Sequence, residues 1–346
     1  MKIYNLREDV LKIISSPNVL SLLQNIEMYK GKTLSVSKLK KIETLVAIAR
    51  QRNIVSSNAL GNVFISAERE KQLFEKGVAP ETFEDHMIMG YGKALDLIDE
   101  VYKYQPFDRS FITTLHYYIY KDYNPELGGR LKDSQNYVHE FLKDGTYRTL
   151  LVPAAPEETI QLLDNLIYQF NLCAQDDEIN KLVLIFAFLL DFLCIHPFNH
   201  GNGRMSRLIL TFLLKKYGYD VDTYYPLAML LNLRISEYAK ALETSANGWR
   251  DDYNDYSAYV SFMLRIVLEA YRKLDYIIQV NTEENSSVDK VYKVISDSAT
   301  PVGKMVIDDI LYSVSPNTIE KSLGALLKEQ KIQLITKGRY SKYFRR

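Results

Sequence analysis

Twelve consecutive residues have the types and spacing that chemistry requires: His196-Pro197-Phe198-Asn199-His200-Gly201-Asn202-Gly203-Arg204-Met205-Ser206-Arg207. Before them, residues 182–195 are apolar except for Asp191, which predicts a buried helix that delivers His196 at its end. Pro197, Gly201 and Gly203 then force a loop whose backbone can approach a ligand closely. A new helix is predicted from about Arg204. A glycine-rich loop running into a helix start presents unpaired N–H groups and a positive dipole end. Arg204 and Arg207 are three residues apart, so both project near that end. Two guanidiniums and a nest of amides suit a di- or triphosphate. A histidine beside them can act as general base on an incoming hydroxyl. The implied chemistry is transfer of a phosphate-containing group from a nucleotide to an alcohol. The competing reading is a helix-loop-helix corner with a structural histidine and two solvated arginines. A lone Gly-x-Gly would favour it; the ordered set of twelve does not.

The elements that must position these residues read mostly as helix. Apolar residues recur at three- and four-residue spacing over 20–29, 38–53, 84–104, 110–120 and 156–174. The same spacing recurs over 204–216, 234–244 and 255–280. Pro156 and two glutamates mark one helix start, and Gly218 follows another helix as its cap. Residues 128–153 break the pattern. Glycines, a Lys143-Asp144-Gly145 turn and flanking runs such as Tyr137-Val138 and Leu150-Leu151-Val152 predict a small hairpin between helices. Residues 281–287 are polar and read as a linker. Beyond it, helices over 288–295, 301–312 and 318–330 precede strands at 332–336 and 340–344, the order of a winged helix-turn-helix. The fold class expected is mainly α, with a hairpin flap and a small α+β C-terminal domain.

The core motif resembles the signature of the Fic family, H-P-F-x-[D/E]-G-N-G-R-x-x-R. The fixed positions matched are His196, Pro197, Phe198, Gly201, Asn202, Gly203, Arg204 and Arg207. A weaker resemblance extends from about Ser37 to Leu274. It includes Gly129-Arg130, Leu150-Leu151-Val152-Pro153 and the run from Asn232 to Leu242. The resemblance implies a helical core with a β-hairpin flap, and transfer of AMP from ATP to a protein Ser, Thr or Tyr hydroxyl. His196 would be the general base and Phe198 would anchor the loop. Gly201, Asn202 and Gly203 would cradle the phosphates. Arg204 would stabilise the pyrophosphate leaving group, and Arg207 would hold the terminal phosphate. The flap, 129–153, would hold the target protein by strand addition. Tyr238 would line the adenine pocket, although its spacing alone reads as an amphipathic-helix tyrosine. The domains expected are an N-terminal helical extension (1–36), a Fic-type domain (37–280, motif 196–207), a linker (281–287) and a winged helix (288–346).

Two positions depart from the family pattern. His200 stands where the family has an acidic Mg²⁺ ligand, and an imidazole suits Mg²⁺ poorly. Mg²⁺ or Mn²⁺ is expected with ATP, with weakened metal binding. Residues 56–62, Ser56-Ser57-Asn58-Ala59-Leu60-Gly61-Asn62, resemble the inhibitory helix [S/T]-x-x-x-E-[G/N], with Leu60 where the glutamate belongs. A leucine cannot make the charge-assisted pair with Arg207, so that autoinhibition is expected to be absent.

Composition bounds the rest. The chain of 346 residues has 43 basic and 43 acidic side chains, which argues against a surface wholly dedicated to nucleic acid or membrane. The balance is regional: residues 286–346 hold eleven basic and six acidic side chains, a local +5. There Asn317, Thr318 and Lys321 could face base edges, and Lys337, Arg339 and Lys342 could reach phosphates of duplex DNA. Winged helices also serve as protein-docking modules, which is the rival reading. Two cysteines and five histidines show no zinc spacing. No apolar run spans a bilayer and no signal pattern opens the chain, so a cytoplasmic protein is expected, with a homodimer left open. Two further functional readings stay open. One is a DNA-binding regulator whose Fic fold binds nucleotide with little catalysis. The other is an enzyme that transfers a different phosphate-containing group.

Overall fold

The computed structural model describes residues 4–141, 145–336 and 341–346. These residues are mainly helical, with two small antiparallel sheets. The first helices, α1 (Leu6–Ile14) and α2 (Pro17–Thr33), bury Leu6, Val10, Val19 and Ile26 in the main apolar cluster. Helices α1 and α2 therefore contribute to the core itself. Next come α3 (Ile42–Ala59), α4 (Ala67–Phe74), α5 (Phe83–Val101) and α6 (Arg109–Tyr120). Thr82 and Asp85 form a capping box at the start of α5. Arg69 on α4 hydrogen-bonds the buried Asp85 carboxylate at 2.6 Å and holds it down to about 2.

The hairpin joins β1 (Val138–Phe141) to β2 (Tyr147–Leu151). Val138 pairs with Leu151 and His139 with Thr149, with an irregularity between those pairs. Two residues of the predicted turn, Lys143 and Asp144, lie outside the described residues. Then follow α7 (Pro156–Ala174), α8 (Lys181–Ile195), α9 (Asn202–Lys216), α10 (Val221–Tyr224), α11 (Leu227–Leu233), α12 (Ile235–Ala246) and α13 (Ser257–Thr282). The Asn180 side chain caps α8 by accepting from the N–H groups of Leu182 and Val183. Every residue from Leu182 to Ile195 is buried, because α1, α7, α9, α12 and α13 surround the helix. The one charge within that buried run, Asp191, accepts from Trp249 Nε1 at 2.7 Å and from the Tyr256 hydroxyl, so the buried carboxylate is satisfied.

The C-terminal part is α14 (Ser287–Ser296), β3 (Val302–Gly303), α15 (Lys304–Ile310), α16 (Pro316–Lys328), β4 (Ile332–Thr336) and β5 (Lys342–Arg345). Its sheet order is β3-β5-β4. It has its own apolar cluster, including Val291, Ile295, Ile307, Ile319 and Leu323. Arg52 on α3 donates two hydrogen bonds to Asp309, and the Tyr312 hydroxyl donates to Lys40 O. The predicted linker is shorter than expected. Helix α13 runs through Thr282, with the Asn281 and Thr282 side chains bonded back to the carbonyls of Ile277 and Ile278, and α14 begins at Ser287. The helix expected from 301 starts only at Lys304, because Val302 and Gly303 first pair with Tyr343 and Lys342. Among the described residues no helix is long and apolar enough to cross a membrane.

Candidate active site

Helix α8 ends where Pro197 makes the αR conformation unfavourable for the residue before it. His196 leaves the helix in the left-handed region, φ 54°, with its N–H still bonded to Phe192 O. Its Nδ1 lies 3.2 Å from Leu193 O. A carbonyl only accepts, so Nδ1 carries the proton and the lone pair belongs to Nε2. Burial, helped by the charge of Lys132, pushes the ring down to about 4. The imidazole is therefore neutral near pH 7, the state a general base requires.

The loop after it is fixed from beneath. Phe198 is fully buried and stacks on His116 of α6, ring centroids 3.9 Å apart and planes 4° from parallel. His116 Nδ1 accepts from Gly129 N–H, so its Nε2 carries the proton and donates to His200 O at 3.0 Å. Burial pushes this ring down to about 4 as well. The buried Asn202 side chain closes the loop on itself: Oδ1 accepts from Phe198 N–H and Nδ2 donates to Phe198 O. Gly201 caps the start of α9 at φ 81°, and a Cβ there would stand 2.9 Å from the Tyr120 hydroxyl. The first intrahelical bond of α9 is Met205 N–H to Gly201 O. The N–H groups of Asn202, Gly203 and Arg204 come before it, as in an anion-binding helix start.

The two arginines have different surroundings. Arg204 is 7% exposed. Its Nη2 donates to the Tyr120 hydroxyl at 2.8 Å, while its buried Nη1 has no hydrogen-bond partner. Arg207 is also buried. Its Nε donates to Ser57 Oγ at 2.7 Å and its Nη2 to Ser57 O at 2.6 Å. Its Nη1 would lie 3.4 Å from a Cβ at Gly203, on the side of the phosphate cradle. Burial lowers the Arg207 pKa, yet an arginine stays charged at neutral pH. An orphaned buried donor beside open helix N–H groups is a fit for a phosphate oxygen.

The other expected residues fall as follows. His200 is exposed, with its carbonyl tied to His116. Among the described residues no group of three His, Cys, Asp or Glu could hold a metal, and the position where an acidic ligand is expected carries His200, whose imidazole suits Mg²⁺ poorly. Leu60 caps α3 and packs against the core, three residues beyond Ser57. Tyr238 is half-buried in an aromatic cluster with Tyr259 and Phe262, close enough to Arg207 to feel its charge. Asn317, Lys321 and Lys342 are exposed, whereas the Thr318 hydroxyl is committed to the Ser315 cap of α16. Lys337 and Arg339 lie outside the described residues.

Sequence reasoning missed Tyr120, the segment 132–136 and the part of Ser57 as partner of Arg207. Each meets the loop from a distant part of the chain, and no local spacing signals such a partner.

With this geometry in view, residues 106–214 match the sequence profile of the Fic/DOC family. That stretch is what the chain shares with the Fic/DOC family. Members of this family transfer nucleotidyl or other phosphate-containing groups to proteins. Solved structures of Fic proteins share the fold. A Fic family protein from Desulfovibrio desulfuricans G20 superposes with a TM-score of 0.62 at 17% identity, over 96% of each chain. A Fic domain containing signaling protein from Bacteroides thetaiotaomicron gives 0.61 at 21% identity, covering 75% of this chain and 100% of that one. A Fic-1 fragment from C. elegans gives 0.56 at 15% identity, covering 75% and 73%. No curated protein matches the chain.

Proposed function

We propose that this protein transfers AMP from ATP to a Ser, Thr or Tyr hydroxyl of a target protein, releasing pyrophosphate. The observation that carries the reading is the buried Nη1 of Arg204, which lacks a hydrogen-bond partner on the helix whose first N–H groups precede its first intrahelical bond, together with a neutral His196 at the head of the same loop. The target hydroxyl gives its proton to His196 Nε2. Its oxygen forms a bond to the α-phosphorus as the bond from that phosphorus to the bridging oxygen of the β-phosphate breaks. The charge gathering on pyrophosphate meets Arg204 and Arg207. The imidazolium then returns its proton to the leaving group or to solvent. The flap β1–β2 supports the target through backbone pairing, and the Tyr238 cluster supports the adenine. A divalent ion taking part in this reaction is held by phosphate and water, given the donors present.

Incubation with ATP labelled at the α-phosphate, with Mg²⁺ or Mn²⁺, should label the protein or its target, and His196→Ala should abolish the label. Label surviving His196→Ala overturns the general-base role. Label arriving only from the γ-phosphate overturns AMP as the group transferred. His200→Asp should raise the Mg²⁺-dependent rate; an unchanged or lower rate means that metal binding is not impaired by His200.

A second reading has its own observation. The order α14, β3, α15, α16, β4, β5, with exposed Asn317, Lys321 and Lys342, supports a C-terminal winged helix that binds duplex DNA. A salt-dependent mobility shift with duplex DNA would support it, and no shift at low salt would remove it.

A further inference from the structure

Residues 132–136 form a strap along the loop that bears the histidine. Lys132 N–H donates to Pro197 O at 2.8 Å, and Asn136 Nδ2 donates to Phe198 O at 2.8 Å. Asn199 Nδ2 donates to Asp133 Oδ1, and Ser134 Oγ donates to Asn199 Oδ1. Gln135 Nε2 reaches Pro153 O at the foot of the flap. At the centre is the Lys132 ammonium, 5% exposed. Its Nζ donates to Ile195 O at 2.7 Å, to Ala154 O at 2.6 Å and, more weakly, to Asn136 Oδ1 at 3.4 Å. Three donors meet three acceptors, and two of those acceptors are carbonyls at the end of α8 and the end of the flap.

Resting on the reading of His196 as general base, we propose that Lys132 is its positioning residue. Its buried ammonium fastens the peptide preceding the histidine to the base of the flap. Ile195 O belongs to the peptide bond that leads into His196, so the lysine fixes the direction in which the imidazole leaves the helix. Ala154 closes the same junction through its N–H to Cys194 O. The flap and the histidine thus share one anchor, and a target strand seated on the flap is held in register with the base. A surface lysine could not do this, because a solvated ammonium exchanges partners freely.

The ammonium also keeps a positive charge against the imidazole. Lys132 is the charged group facing His196, and Lys132 in turn faces Arg250 beyond α12 and Glu158 of α7. Burial, with Arg250 adding to it, lowers Lys132 to about 8, while Glu158 opposes the change. The lysine is therefore charged at neutral pH and disfavours protonation of His196.

The test uses the full chain with ¹³C-labelled histidine, the His196 signal being assigned by its loss in His196→Ala. In Lys132→Met the His196 titration midpoint should move up by about half a pH unit or more. The transfer rate kcat should fall by about tenfold or more, with KM for ATP nearly unchanged. Lys132→Arg, which keeps the charge and the donors, should restore both. A Lys132→Met protein with the wild-type midpoint, or with wild-type kcat, overturns the proposal. A wild type that transfers nothing from any labelled nucleotide defeats the AMP reading instead, and the titration still decides the role of Lys132. Should Lys132→Met fail to fold, the wild type decides. Its His196 signal should show a second inflection near pH 8 as the lysine discharges, and a single inflection overturns the proposal.

Discussion

The loop 196–207 and the α16–β5 face of the C-terminal part use polar groups in opposite ways. In the loop, polar groups are spent on the protein itself: Asn202 on Phe198, His116 on His200, Arg207 on Ser57. On the C-terminal face, Asn317, Lys321 and Lys342 point to solvent. Pre-organised chemistry requires groups whose orientation is settled before a ligand arrives, whereas a recognition surface leaves its groups free to find one. The first costs stability when disturbed, and the second costs little.

The contrast can be broken most severely at Phe198. Phe198→Ala empties the fully buried stack on His116 and should destabilise the protein by about 3–5 kcal/mol, read from urea or thermal unfolding. A loss below 1 kcal/mol would mean that the loop is not fixed from beneath. Acid tests the same region. His116 has its folded pKa at about 4 against an ordinary 6.5, so between these values the unfolded chain binds a proton that the folded chain refuses. Stability is complete above pH 6.5 and falls as pH drops towards 4, by about 3 kcal/mol from this ring alone. His196→Gln would leave that acid sensitivity of His116 in place, and His116→Gln should remove it.

A smaller effect is expected at the end of α3. Leu60→Glu puts a carboxylate three residues from Ser57, where it competes for Arg207, and transfer should be suppressed by about tenfold. Unchanged transfer would show that Ser57 keeps the guanidinium. The smallest stability effect belongs to the exposed face. Lys321→Ala should change stability by less than about 0.5 kcal/mol. If duplex DNA binds there, the salt dependence of binding should weaken by about one counterion. A large stability loss at Lys321 would erase the distinction between the two regions.

What could be read in advance follows the range of the interactions. The helix over 156–174 and the strand over 332–336 were read with their observed bounds, because Pro156 and the alternation in Ile332–Thr336 are local signals. The mainly helical class and the buried α8 were legible for the same reason: periodicity is written in consecutive residues. The short helices α4, α10 and α11 escaped because too few turns exist to show a period. The motif 196–207 was legible as a unit. Its supports were not, since Tyr120, Ser57 and Lys132 reach Arg204, Arg207 and Ile195 from 84, 150 and 63 residues away. The family pattern pointed to Leu60 as the partner lost to Arg207. It gave no sign that Ser57 would take that place with a hydroxyl and a carbonyl.

The unmatched Nη1 of Arg204 joins two quantities that are usually measured apart. A buried donor without an acceptor costs folding about 1–3 kcal/mol. An oxyanion that supplies the acceptor recovers that cost on binding. Melting temperature and ligand affinity at this helix start are therefore coupled through one nitrogen atom. Inorganic pyrophosphate should raise the first in step with its concentration. An Arg204→Met protein, with no orphaned donor to satisfy, should gain less from the same concentration of pyrophosphate.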